Sequence, residues 1–165
     1  MILNIVILAL VTLQRLGELW LSRRNTGRLL AQGAVEHSSG HYPLIVAVHT
    51  LWLAALWWLA ITQPVSTAWL ALFVVIELAR IWVLASIGSR WTTRIITLPK
   101  ETLVRRGPYR FVNHPNYLVV VAEIAVLPLV FGLWQVALVF SLLNAAVLAI
   151  RIRAENRALS ACRPR

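Results

Sequence analysis

Apolar residues gather in five stretches along the chain, near 2–21, 42–61, 68–87, 117–131 and 134–150, with most of the charge held in the segments between them. Runs of this length and character predict membrane-crossing helices rather than the core helices of a soluble domain. The fourth run is about 15 residues, short of the roughly 20 that a full crossing takes, and Pro128 at its far end allows a kink or a partial crossing. Only Gly132 and Leu133 separate the fourth run from the fifth, so these two read as a tight helical hairpin. No repeat, low-complexity tract or strand-like alternation interrupts the pattern. The fold class expected is all-α: one polytopic membrane domain over 1–165, with five transmembrane helices.

Composition agrees with this. The 165 residues are 59% hydrophobic, with a mean hydropathy of +0.74. The first run has no basic n-region and no small-residue cleavage site, so it is expected to stay as a helix. With Cys162 as the lone cysteine, neither an internal disulfide nor a cysteine-based metal site is expected, and the tail ACRPR lacks a prenylation pattern.

The net charge of +10 raises nucleic acid as a partner, but the placement of the charges argues against it. All basic residues except Arg15 and Arg80 fall in the first loop, the third loop or the C-terminal tail, which lie on one side of a five-span chain. The opposite connections, 62–67 and 132–133, carry no charge. By the positive-inside rule the N-terminus lies outside and the long loops and C-terminus face the cytoplasm, with anionic lipids as neighbours. Within the spans, Arg15 with Glu18 and Glu77 with Arg80 sit three residues apart, the spacing of a pair on one helix face. Glu123 has no such partner in its own run and is expected to meet a basic residue from elsewhere or a polar cavity.

The segment RRGPYRFVNHPNYL (105–118) sets polar and aromatic groups directly against the fourth run. Gly107-Pro108 and His114-Pro115 each bias the backbone away from helix before the proline, and Pro115 suits the first position of a new helix. The free amides and positive dipole end of that helix would face the space beside Asn113, His114 and Asn116, an arrangement that attracts carboxylate or phosphate. Tyr109, Phe111 and Tyr117 offer flat faces suited to an adenine ring and equally to an interfacial aromatic belt. In LLNAAVLAIRIRAENRAL, residues Asn144, Arg151 and Glu155 share a helix face that the hairpin brings beside His114. The two elements can form a half-buried polar cup; alternatively the arginines are simply a solvated helix end.

GPYRFVNHPNYL followed by RIRAENRAL resembles the C-terminal signature of the isoprenylcysteine carboxyl methyltransferase family, G-x-Y-x-x-x-R-H-P-x-Y and then paired glutamates. QRLGELWLSRRN, WTTRIITLPKETLVRRGPYRF and FSLLNA are similar to the family's short bacterial branch, which O-methylates alkylpyrone-type products. The resemblance implies a bacterial inner-membrane enzyme using S-adenosylmethionine, held over 105–159, and a lipophilic small-molecule acceptor. It further implies that Tyr109, His114, Tyr117, Leu118 and Glu155 contact the cofactor, with Arg151 and Glu155 as catalytic candidates and no metal. Asn113 stands where the pattern has arginine and Asn156 where it has the second glutamate. If that arginine positions a substrate carboxylate, a hydroxyl or enol acceptor is favoured here. The H-P-x-Y element also resembles NADPH-dependent membrane sterol reductases, and a non-catalytic scaffold is the reading from another class. No G-x-G-x-x-G occurs, so a Rossmann-type cofactor site is not expected.

Overall fold

Polar side chains carry the first helix well past its apolar run. In the computed structural model, which describes residues 1–37, 40, 42–97 and 105–161, helix α1 spans Ile2–Ala31 rather than ending at residue 21. Its added turns hold because Ser22 and Asn25, both buried, find distant partners: the Ser22 hydroxyl pairs with Thr93 Oγ1 at 2.8 Å and Asn25 Nδ2 donates to the Trp91 carbonyl at 2.9 Å. The helix stops at Gly33, whose φ of 86° lets the Ala34 amide turn back to the Leu29 carbonyl.

Helices α2 (Tyr42–Leu59), α3 (Thr67–Ile87), α4 (Pro115–Val130) and α5 (Trp134–Ala161) follow. Pro115 opens α4 as its first helical residue. Helix α5 outruns the expected 134–150 because alanine, leucine, arginine and glutamate, all good helix formers, continue beyond the apolar run. Helix α4 packs along both α3 and α5.

The fold is all-α, as expected, with one small ribbon besides. Two three-residue strands, β1 (Val35–His37) and β2 (Ile95–Thr97), pair antiparallel with Glu36 opposite Ile96. The ribbon joins the two long loops, and Arg94 Nη1 clasps Glu36 across it at 2.8 Å. Lys100, Arg163 and Arg165 of the basic segments, and the lone Cys162, lie outside the described residues.

Four helical segments, Ile2–Ala31, Tyr42–Leu59, Thr67–Arg90 and Trp134–Glu155, are long and apolar enough to cross a membrane; α4 is shorter. Large apolar side chains point outward along them, Trp58 being 86% exposed and Leu142 64%. Such surfaces are stable against lipid and not against water. The molecule is an integral membrane protein.

Three zones follow one another along the bundle. At the end where α1 begins, Leu8, Val11, Trp52, Leu56, Phe73, Leu127 and Val130 form the apolar core. Asn4 Nδ2 closes this end by donating to the carbonyls of Ala60 and Gln63, at 2.6 and 2.8 Å. Midway lies a buried ionic network. Arg15 Nη1 meets Glu18 at 3.1 Å, the pair expected from spacing, but Arg80 turns away from its own helix. Its guanidinium takes Glu18 of α1 on two nitrogens, with Nη2 at 2.5 Å, and Glu123 of α4 at 2.8 Å. Glu123 is fully buried and also receives Arg15 Nη2 at 2.6 Å. Glu77 accepts from Gln14 Nε2 at 2.7 Å instead of serving Arg80 in an i,i+3 pair. Geometry explains the difference: a guanidinium in an apolar medium gains most where it can fork onto carboxylates converging from two other helices. The third zone holds the ribbon and the junction before α4.

Candidate functional site

Two prolines and a glycine shape the junction. Gly107 has a φ of 57° and lies so tightly on α3 that a Cβ there would sit 2.1 Å from Ser86 Oγ. Arg106 Nε pins the same turn by donating to the Ser86 carbonyl at 2.6 Å. The chain then makes a single 3₁₀ turn, Gly107–Arg110, and enters α4 through His114, whose side chain makes no capping bond. Pro115 has no N–H and the Tyr117 amide bonds the His114 carbonyl at 3.1 Å, so the Asn116 amide and the positive end of the helix are what this end offers.

Four of the expected residues, His114, Tyr117, Arg151 and Glu155, converge here. His114 and Tyr117 stack with ring centroids 5.2 Å apart and planes 14° from parallel. From α5, Glu155 accepts a hydrogen bond from the Tyr117 hydroxyl, and its carboxylate lies 3.9 Å from His114 Nδ1. Arg151, one turn earlier on the same helix, donates from Nε to the Tyr117 oxygen at 2.8 Å and covers the Tyr117 ring at 5.6 Å. Its Nη1 donates to the Thr93 carbonyl at 2.7 Å. Tyr109 is half-buried nearby, and burial, reinforced by the charge of Glu155, pushes its hydroxyl up to about 12. It is a neutral hydrogen-bond donor at physiological pH.

The carboxylate of Glu155 remains partly open, with 26% of the side chain accessible, and His114 is at 32%. Asn116 Oδ1 is buried with no hydrogen-bond partner among the described residues. The junction thus brings together an acceptor (Glu155), a cation (Arg151), and the aromatic faces of His114 and Tyr117. Leu118 lies on the first turn of α4 and is 59% exposed, and the side chain of Asn156 lies outside the described residues. Thr93 was not among the expected site residues. Its signal in the sequence is slight, a polar Thr-Thr pair just after α3, and its importance comes from Ser22 and Arg151, which lie far from it in the chain.

A helical membrane protein whose polar, half-open cup is built where one helix begins and the next leaves the membrane is a class suited to acting on lipophilic molecules with a water-borne partner. The chain belongs to the isoprenylcysteine carboxyl methyltransferase (ICMT) family, whose model matches residues 69–161; this places it among membrane methyltransferases. That match contains every residue of the cup. The chain is similar to an uncharacterised protein, YpbQ, of Bacillus subtilis (strain 168), with 37% identity over 158 residues covering 93% of this chain and 94% of that one. It is also similar to an uncharacterised protein of Haemophilus influenzae, 27% identical, with 88% of each chain covered. No solved structure matches it.

Proposed function

We propose that this protein is an S-adenosylmethionine-dependent O-methyltransferase. In this reading α4 also crosses the membrane, making five spans of which the last two are a hairpin. The N-terminus lies outside a bacterial inner membrane and the cup opens to the cytoplasm. The observation that carries it is the meeting of Glu155 and Arg151 with Tyr117 and His114 at the start of α4.

The chemistry of these residues fits the cofactor. Glu155 keeps acceptor capacity for ribose hydroxyls or an ammonium group, the Asn116 amide and the positive end of α4 suit a carboxylate, and Tyr109 and Phe111 offer faces for a purine. Arg151, held by Thr93 and Tyr117, keeps Glu155 and Tyr117 in register. When bound, S-adenosylmethionine supplies a methyl group on an electrophilic sulfonium.

The chain's own part is to hold donor and acceptor in line and to keep water away from the attacking oxygen at the bilayer edge. His114 and Glu155 are the groups placed to receive a proton released by a hydroxyl acceptor. The acceptor is a lipophilic small molecule that reaches the cup from the membrane. Asn113, in the position of the family's arginine, provides no cation for a carboxylate, so an enol or phenol of alkylpyrone type is favoured over a prenylcysteine acid.

Calorimetric titration of the purified protein with S-adenosylhomocysteine, with NADPH in parallel, tests this. Saturable binding of the first alone is expected. Binding of NADPH alone would make it a reductase, and a folded sample silent to both would leave the cup as an assembly surface.

A further inference from the structure

Thr93 lies in the linker between α3 and β2, and side chains from three other helices hold it there. The Ser22 hydroxyl of α1 accepts a hydrogen bond from the Thr93 amide at 2.8 Å and shares a second with Thr93 Oγ1, also at 2.8 Å. The Tyr42 hydroxyl, on the first residue of α2, stands 3.2 Å from the same Oγ1. From α5, Arg151 Nη1 donates to the Thr93 carbonyl at 2.7 Å. Amide, hydroxyl and carbonyl of this one residue are therefore all engaged. Ser22 is only 2% exposed, so its hydroxyl relies on Thr93 in place of water.

Fixing a residue at two points aims its third. With amide and hydroxyl both tied to Ser22, the Thr93 carbonyl is directed at α5, where it meets Arg151. The same guanidinium donates from Nε to the Tyr117 oxygen at 2.8 Å, and the Tyr117 hydroxyl donates to Glu155. A continuous chain of hydrogen bonds thus runs Ser22, Thr93, Arg151, Tyr117, Glu155, from α1 into the cup. Without its first link the linker is freed, and the Thr93 carbonyl no longer anchors one end of the guanidinium. Ser22 lies outside the 69–161 stretch that the family model matches, yet it stands at the head of this chain.

We infer that Ser22 is a positioning residue for the cup: through Thr93 it sets the direction of the Arg151 guanidinium, and with it the affinity of the cup for its cofactor. The inference rests on the methyltransferase reading for the identity of that ligand, whereas the setting of Arg151 is measurable with no ligand present.

Two readouts on the full chain in lipid nanodiscs test it. The first is the Arg151 Nε–H signal in a proton–nitrogen correlation spectrum, assigned by its loss in Arg151→Lys. The second is calorimetric titration with S-adenosylhomocysteine. Ser22→Ala is expected to broaden the Arg151 signal and to weaken binding about three- to tenfold, the effect of losing neutral hydrogen bonds behind the site. Asn4→Ala is the comparison: Asn4 is as buried as Ser22 and donates to two carbonyls at the far end of α1, so its loss loosens the bundle without touching the chain. It should keep both the signal and the affinity. A folded Ser22→Ala protein that keeps the Arg151 signal, or keeps the affinity of a wild type that binds, would overturn the inference. So would an Asn4→Ala protein that loses as much as Ser22→Ala. Should Ser22→Ala fail to fold, Thr93→Val, which removes the hydroxyl shared with Ser22 and Tyr42, carries the same expectation and the same refutation. A wild type that binds no S-adenosylhomocysteine, with an Arg151 signal that still depends on Ser22, would remove the methyltransferase reading and leave the positioning of Arg151 standing.

Discussion

Glu155 is the residue on which the cup turns. It accepts from Tyr117, faces His114 and stands one turn from Arg151, so it ties α5 to the start of α4 while keeping lone pairs open. Hydrogen bonds to a charged group contribute about 1.5–3 kcal/mol each. Glu155→Gln keeps the shape and loses the charge, and is expected to weaken S-adenosylhomocysteine by about 10- to 100-fold in calorimetry. Its thermal unfolding should move little, since the side chain is partly exposed near a helix end. A variant that unfolds early yet binds normally would make Glu155 a structural residue instead. Tyr109 bears on the same question from the other side. With its hydroxyl held neutral to about 12, it supplies a donor at all physiological pH values and leaves proton transfer to His114 and Glu155.

At the scale of elements, the turn at Gly107 decides where the cup sits. Its positive φ and its contact with Ser86 and Trp82 leave no room for a side chain. Gly107→Ala is therefore expected to cost on the order of 2–4 kcal/mol, combining backbone strain with overpacking. Gly132→Ala, where φ is also positive but the space is open, should cost only about 1–2 kcal/mol. Denaturant unfolding in mixed micelles compares the two, and equal losses would mean that the close approach to Ser86 carries no energy. The same elements show what a sequence discloses. Apolar runs locate the helices because lipid and core both demand them, and Pro115 marks the start of α4 unaided. The last turns of α1 are different: they depend on Ser22 and Asn25 meeting Thr93 and Trp91, partners that no local pattern reveals. The ribbon is equally hidden, since three residues per strand are too few for alternation to register. Within the cup, one-face spacing brought Arg151 and Glu155 together on paper, whereas the role of Thr93 required the fold.

Seen whole, the molecule is joined in its middle by charges rather than by apolar packing. Arg80 of α3 links α1 through Glu18 and α4 through Glu123, so a single side chain ties together three helices. Helical spacing alone pointed to Glu77 as its partner, and the actual choice shows why that reasoning falls short inside a membrane. Where no water competes, an arginine goes to whichever carboxylates surround it best, and those come from other helices. The arrangement carries a risk, because removing Arg80 leaves Arg15 alone to balance two buried carboxylates, Glu18 and Glu123. Arg80→Met should therefore destabilise by about 3–5 kcal/mol, against about 0–1 kcal/mol for Arg94→Met, whose bridge to Glu36 lies at the surface. Adding Glu123→Gln to Arg80→Met removes the surplus carboxylate, leaves Arg15 paired with Glu18, and should recover much of the loss. Unfolding by denaturant of all three proteins measures this directly. If Arg80→Met proves as mild as Arg94→Met, the helices are held by packing alone; if it is severe and the double variant restores stability, the ionic network is what sets α1, α3 and α4 in place and so positions the cup above it.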